Sequence, residues 1–399
     1  MNTTAQKNLF SPVRLGGKLL KHRVVLPALS RLRAHWPSGV PSDLMLDYYT
    51  QRASDGGLLI AEANAVSPSG RAYHTAPGIW SEEQVIGWKR ITDQVHAKGG
   101  VMFIQFTHAG RATSSAITEI APVSASVDPT FWANENVVVS TPDGFTLPSP
   151  HRALEVPDIL EIVDQYRVAA ENAKRAGFDG IELLAGQGHL IEQFLHDGSN
   201  KREDRYGGSI ENRERFLAEV LEAVTNVWGT DRVGVRISPS SVFNGMGDSN
   251  PQALYRHLAG RLNSFGLAYL HVIEPRISGA DTVAEGQEPI AALDLREFFK
   301  GTVIAAGGFS PASAEDAVTS GLADLIAIGR HFTSNPDLPY RIEHDLPLAQ
   351  YDRSTFYAFD ARGYTDFPRY DGEPHLQVAG SGVNLGDCWV PTNYVTALG

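Results

Sequence analysis

Cysteine is almost absent from this 399-residue chain: Cys388 stands alone, so no intrachain disulfide can form, which suits a reducing compartment. Basic residues are also in short supply. Lys and Arg number 34 against 46 Asp and Glu, a net charge of −12, so the chain lacks the basic excess that a phosphate-backbone partner needs. Long apolar runs are missing too. None approaches the ~20 residues needed to span a bilayer, and the opening MNTTAQKNLFSP has no apolar stretch of the signal-peptide kind. These absences predict a soluble, cytoplasmic protein that engages neither nucleic acid nor membrane. Self-association into a homo-oligomer is left open. There is no internal repeat, low-complexity tract or linker.

What the chain does have is alternation. Eight short aliphatic runs are separated by longer helical patterns: HRVVLPALS (22–30), GGLLIAEANAVS (56–67), GGVMFIQFTHAGR (99–111), FDGIELLAG (178–186), RVGVRISP (232–239), GLAYLHVIEP (266–275), TVIAAGGF (302–309) and ADLIAIGR (323–330). Several continue as unbroken Val, Ile and Leu, as strands buried on both faces do. ILEIVDQYRVAAENAKRAG and SIENRERFLAEVLEAVTNVW carry apolar residues at three- and four-residue spacing, with Pro157, Asp158 and Ser209 as start signals. The pattern predicts an α/β fold, a (β/α)₈ barrel of the kind that usually occupies ~250 residues. The surplus belongs in loops. The largest insertion, residues 111–157 between strands three and four, contains NVVVSTPDGFTLPSP, which predicts a hairpin turning at Asp143-Gly144 and serving as a lid or pocket wall.

Active sites of this fold lie at the C-terminal strand ends. Those ends carry Ser30; Glu62 and Asn64; Gln105 and His108; Gln187 and His189; Arg236; His271 and Glu274; Gly307 and Gly308; Gly329 and Arg330. No strand ends in lysine, which argues against Schiff-base chemistry. His108, His271, Glu62 and Glu274 have no metal-ligand spacing, and barrel-mouth His and Glu more often serve hydrogen bonds, so no metal is expected. The loops after strands seven and eight are the recurrent phosphate site of the fold. Glycines there let backbone N–H groups approach an anion, and Arg330 adds a cation. A phosphate grip combined with Arg236, Gln105 and Ser30 at the barrel centre suggests a flavin mononucleotide.

At this point the motifs are similar to a known family. LFSPVRLGGKLLKHRVVLPALSRLRA, GRAYHTAPGIWSEEQ, QFTHAGR, SNKREDRYGGSIENRERF, LAYLHVIEPR, IGRHFTSNPDLPYR and the STFY…GYTDFP tail resemble the Old Yellow Enzyme family of FMN-dependent ene-reductases. The likeness is collinear from about Leu9 to Tyr370. It implies an FMN-binding barrel over residues 1–370, with a C-terminal extension over 371–399. It also implies non-covalent FMN, NADPH or NADH as reductant, and a small-molecule substrate. By the same resemblance Ser30, where the family usually has threonine, would tune the flavin carbonyl. Gln105 would bond the pyrimidine edge, and Arg236 would lie beside the N1/O2 region where negative charge develops. Gly307, Gly308, Gly329 and Arg330 would grip the phosphate. Ala28, Leu29, Ala63 and Phe356 would contact the cofactor, while Tyr73, Phe243 and Tyr357 would line the substrate pocket. The family's Ala-Pro appears reversed, as Pro27-Ala28.

One segment departs from the family. IELLAGQGHLIEQFL (181–195) holds Leu184, Gln187 and His189 where the family pattern is His-x-x-Asn-x-Tyr. The first two of that trio clamp a substrate carbonyl and the third supplies a proton. Leu184 has no donor. Gln187 keeps an amide on a longer arm. His189 carries a group whose unperturbed pKa is ~6.5, nearer neutrality than the ~10 of tyrosine, so it suits either acid or base duty. Thr107, where many relatives place tryptophan, suggests an opened pocket and a larger substrate. The first reading is an ene-reductase with a specialised, bulky substrate, using Gln187 and His189. The second is a desaturase or redox-neutral isomerase on the same FMN, with His189 as base. The third is a flavoprotein that has lost catalysis.

Overall fold

The computed structural model describes residues 7–275 and 289–371. Eight parallel strands close into a barrel: β1 (Val24–Leu26), β2 (Leu58–Ala65), β3 (Val101–Thr107), β4 (Gly180–Ala185), β5 (Val233–Ile237), β6 (Tyr269–Ile273), β7 (Val303–Ala306) and β8 (Leu325–Ala327). All eight aliphatic runs supply a strand, and β8 pairs with β1 to complete the circle. The strands are shorter than the runs. β1 stops at Leu26 because Pro27 has no N–H to offer the ladder.

Helices cover the outside. They include α1 (Asp43–Arg52), α2 (Glu82–Ala97), α3 (Val156–Arg175), α4 (Leu190–Leu195), α5 (Arg215–Trp228), α6 (Pro251–Asn263), α7 (Ala292–Leu295), α8 (Pro311–Thr319) and α9 (Gly329–Ser334). The α3 cap is Glu155, with Pro157 and Asp158 inside the first turn, so the helix begins about one turn before the expected start. Asp158 Oδ2 accepts the Glu155 N–H at 2.9 Å and so completes a capping box. The second helical pattern is broken at Glu214: Ser209 caps a single turn, Ile210–Arg213, before α5 begins.

The insertion between β3 and β4 forms the expected hairpin, Val139–Thr141 against Gly144–Thr146. Its tip is Pro142-Asp143 rather than Asp143-Gly144, since Thr141 pairs with Gly144. None of residues 111–157 lines the central cavity, so the lid reading is not met. The hairpin braces the site from behind instead: the His74 N–H donates to Ser140 O at 2.8 Å, next to Tyr73. Cys388 and residues 372–399 of the expected extension lie outside the described residues. Among the described residues no helix is long and apolar enough to cross a membrane.

Candidate active site

A cavity of about 260 Å³ opens at the C-terminal ends of the strands. Its floor is polar and tightly specified. Gln105 Nε2 donates to Glu182 Oε1 at 2.6 Å, and His271 Nδ1 lies 2.7 Å from Glu182 Oε2. Burial pushes the Glu182 carboxyl up, but His271, Arg236 and Gln105 outweigh it and hold it below the usual carboxylate range. With its amino end committed to this anion, Gln105 keeps a carbonyl oxygen as its other end, an acceptor on the cavity wall. Arg236 donates Nη1 to Ala28 O at 2.9 Å, while its buried Nε has no hydrogen-bond partner. A β-bulge at Glu62 sets Ala63 opposite Gln105. The extra residue lets the Glu62 carboxylate accept the Arg31 N–H at 3.0 Å while Ala63 faces the cavity.

One end of the cavity is built from backbone. Gly307 and Gly308 have φ of +131° and +65°, conformations that suit glycine, and they lead into α8 with Ser310 as its cap. A Cβ on Gly329 would come within 3.0 Å of Leu29 Cδ2. Gly329 and Arg330 open α9, so two helix starts direct N–H groups at the same wall.

The other side is closed by the segment around residues 353–366, which carries Phe356 and Tyr357. Three buried arginines tie it down. Arg31 donates to Phe356 O at 3.1 Å and Gly363 O at 2.7 Å; Arg33 reaches Phe356 O at 2.7 Å and Thr355 O at 3.1 Å; Arg52 reaches Tyr364 O at 3.1 Å. Tyr364 stacks on Tyr48 at 4.1 Å between centroids, and the Arg33 guanidinium lies 4.5 Å from the Tyr364 ring centre. A hydrogen bond to a charged donor contributes ~1.5–3 kcal/mol. Arg33→Met is therefore expected to destabilise the protein by at least that order and to free Phe356. Limited proteolysis near residue 356 and loss of bound flavin on gel filtration check this. Retention of both would remove the clamp role.

The turn after β4 forms the remaining wall. Gln187 has φ +57°, in the left-handed region that costs a residue with a side chain roughly 1–2 kcal/mol. Its N–H donates to Ser238 Oγ at 2.8 Å, and its carbonyl accepts Asn244 Nδ2 at 3.0 Å. Gly188 follows at φ +70°, and a Cβ there would sit 2.3 Å from Asn244 Cβ. His189 lines the cavity with neither ring nitrogen hydrogen-bonded, and burial lowers its pKa to about 4, with the carbonyls of Gly186 and Gln187 offsetting part of the shift. It is therefore neutral at neutral pH, not the balanced acid–base group of an exposed imidazole.

Ser30, Ala28, Leu29, Tyr73, Leu184, Phe243 and Tyr357 also line this cavity. Thr107 does not. It ends β3 fully buried, and the Val66 N–H bonds its carbonyl at 3.2 Å, keeping the ends of β2 and β3 zipped together over it. The larger pocket expected from Thr107 thus has no basis in the geometry. Wall residues that the sequence did not single out include Arg31, Ile273, Phe309, His331 and Tyr351. An aromatic or cationic residue next to a recognised strand end was the available signal. Glu62 and His271 are consumed by hydrogen bonds to Arg31 and Glu182, and among the described residues no group of three His, Cys, Asp or Glu is placed to hold a metal.

A closed (β/α)₈ barrel with an anion-binding wall after β7 and β8, and an arginine and a glutamine at its floor, defines a flavin-nucleotide oxidoreductase site. The chain belongs to the NADH:flavin oxidoreductase / NADH oxidase family, whose model matches residues 8–349, and within it to the Old Yellow Enzymes. It is similar to a putative 12-oxophytodienoate reductase 11 of Oryza sativa subsp. japonica, 46% identical over 92% of this chain and 98% of the relative. A 12-oxophytodienoate reductase 2 of Arabidopsis thaliana is 43% identical over 90% and 95%. Among solved structures, morphinone reductase in complex with tetrahydroNAD matches with a TM-score of 0.83 at 41% identity, covering 92% of this chain and 99% of that one. An old yellow enzyme homologue from Zymomonas mobilis matches at 0.85 and 37%, covering 91% and 99%. The protein is an FMN-dependent NAD(P)H oxidoreductase. The residues present fit FMN: the unpartnered Arg236 Nε is a donor awaiting an acceptor, and Gly307, Gly308, Gly329 and Arg330 line the same cavity at its anion-binding wall.

Proposed function

We propose that this enzyme reduces an activated C=C of a specialised small molecule, with Gln187 orienting the activating group and His189 relaying the proton. The observation that supports it most is the buried His189 imidazole on the cavity wall, both nitrogens unpartnered, beside an amide residue held in left-handed backbone. Arg236, Gln105 and Ser30 would hold the isoalloxazine edge, and Gly307, Gly308, Gly329 and Arg330 the phosphate. The chemistry that bound FMN supplies is hydride acceptance from NAD(P)H and hydride donation to an electrophilic carbon. The protein's own part is positioning and proton handling. A neutral imidazole donates at one nitrogen and accepts at the other, so it passes a proton on without storing one. Leu184 adds apolar contact where a donor would otherwise stand, leaving Gln187 and His189 to bind the polar end of the substrate. Thr107 adds no room, so bulk is not part of this reading.

The test is anaerobic absorbance at the flavin bands during addition of NADPH and then 2-cyclohexenone. Bleaching followed by return of colour supports ene-reduction with the altered trio. Bleaching without return shows that the enone is not a substrate and overturns this reading for simple enones. A second reading uses the same ring, unprotonated at neutral pH because burial lowers its pKa to about 4, to take a proton from the substrate in a desaturation or redox-neutral isomerisation. Product formation without added nicotinamide would separate the two.

A further inference from the structure

Beneath the turn that carries Gln187 and His189 lies a carboxylate to which none of the steps above assigns a role. Glu192 sits on α4, wholly buried. Its Oε2 accepts the Gly188 N–H at 2.6 Å. Its Oε1 accepts the Ser238 hydroxyl at 2.9 Å and the Tyr255 hydroxyl, from α6, at 3.1 Å. Ser238 in turn accepts the Gln187 N–H at 2.8 Å. Both left-handed residues of the turn therefore have their amides anchored on one side chain, Gly188 directly and Gln187 through one hydroxyl. Gly188 O is held separately, by Gln193 Nε2 at 2.7 Å.

We propose that Glu192 is a positioning residue of this enzyme, holding the Gln187–His189 turn in the left-handed conformation that presents both side chains to the substrate. The inference rests on the assignment of Gln187 and His189 to substrate handling. The reason is energetic. Two consecutive left-handed residues, one of them not glycine, are disfavoured and persist only where surrounding bonds over-determine them. A carboxylate is the side chain suited to this, because it accepts from several donors at once without needing to give a proton. Burial raises the Glu192 pKa to about 7, with Gly188, Ser238 and Tyr255 pulling against the rise. The anchor is thus fully charged only above neutrality, and protonation removes one acceptor. The charged or titratable groups around it are few. His196 Nε2 lies 3.8 Å from Oε1 and 2.9 Å from the Tyr255 hydroxyl, and its pKa is lowered to about 4 by burial. Behind His196 lie Asp248, Arg213 and Asp197, with Arg213 and Asp248 paired at 2.5 Å. Tyr255 is pushed well above its ordinary value by burial and by Glu192. His189 itself titrates near 4. Glu192 is left as the group of this cluster that changes charge between about pH 6 and 8.

The experiment is hydrogen–deuterium exchange on the FMN-loaded enzyme, followed in peptides covering residues 184–195, together with steady-state reduction of 2-cyclohexenone by NADPH. In Glu192→Gln, which keeps the shape but must give a proton to one former donor, exchange of the Gln187 and Gly188 amides should rise about tenfold, the equivalent of one lost anchoring bond. KM should rise with little change in kcat. In the unaltered enzyme kcat/KM should fall as pH drops through about 7, and Glu192→Gln should be flat there. Ser238→Ala leaves the Glu192 side chain intact and should loosen Gln187 but not Gly188, so it keeps the test open if Glu192→Gln fails to fold. Unchanged exchange in both variants overturns the proposal, as does a pH profile that Glu192→Gln leaves in place. Faster exchange with unaltered KM supports the anchor and overturns instead the assignment of Gln187 and His189 to the substrate.

Discussion

Taking the protein from pH 7 to pH 5 is expected to remove several kcal/mol of folding stability. His22, His108, His151, His189 and His196 are buried, and burial lowers their pKa values to about 4, 3, 4, 4 and 4. Released into water, each regains a value near 6.5. Between those limits the unfolded chain binds protons that the folded one refuses, so stability falls as pH falls through 6.5 and stays lost below 4. Two buried carboxyls act in the opposite sense. Burial raises Glu192 to about 7, so the folded state holds a proton there that the unfolded state has given up, and it pushes Glu62 in the same direction. Five histidines against these carboxyls leave a net uptake of roughly three protons on unfolding near pH 5.5, or about 4 kcal/mol per pH unit. Against total stabilities of ~5–15 kcal/mol that is a large fraction. Urea midpoints at pH 7, 6 and 5 measure it directly. A midpoint that stays level would mean that these imidazoles are charged or solvated in the folded protein. Replacing His108, the most depressed of the five, by Gln should flatten the slope by about one proton.

The barrel is legible in the sequence because strands buried on both faces need no alternation. An unbroken Val/Ile/Leu run between a Gly or Asp and a turn residue reads the same whichever neighbours it meets. The strand ends are legible for the same reason, since the first polar residue after each run is at the barrel mouth. What escapes is whatever depends on partners far along the chain. Glu182 and Glu192 interrupt apolar runs and look like exposed positions, yet both are buried, because Gln105, His271, Ser238 and Tyr255 come from other strands and helices to receive them. Arg31, Arg33 and Arg52 look like solvated charges. Their distant acceptors are carbonyls of residues 332–364, some three hundred residues away. The insertion misleads in the other direction. A hairpin can be read from its turn residues, but the side of the site it packs on depends on distant partners such as the His74 N–H that donates to Ser140 O. Thr107 shows the same limit at a single residue, because a strand-end position does not say whether neighbouring strands seal over it.

His189→Ala is expected to lower kcat for 2-cyclohexenone reduction by roughly 10²–10⁴-fold, the range that general acid–base groups contribute. Reduction of FMN by NADPH involves no proton from this residue and should change far less. The pH dependence says which form of the ring acts. With a pKa of about 4, the imidazole at pH 7 is neutral, and charging it there costs about 4 kcal/mol. If the neutral ring relays the proton, the rate attributable to His189 should hold from pH 7 down to about 5 and fall as pH drops through 4. If the cation is the donor, the rate should instead climb as pH falls toward 4, roughly tenfold per unit. The Glu192 effect near pH 7 appears in KM and this one in kcat, so the two can be resolved in the same titration. Alanine also removes the ring that lines the wall, so His189→Phe is the control for lost packing and should be as slow as alanine if proton transfer is what matters. The triple change Leu184→His, Gln187→Asn, His189→Tyr supplies the opposite case. It should support enone turnover with a proton donor that does not itself titrate between about pH 5 and 8, because a tyrosine with its ordinary pKa of ~10 stays protonated throughout. Low activity in the triple variant with intact flavin reduction would place the difficulty in the turn's backbone, where Gln187 is left-handed, and not in the side chains it presents.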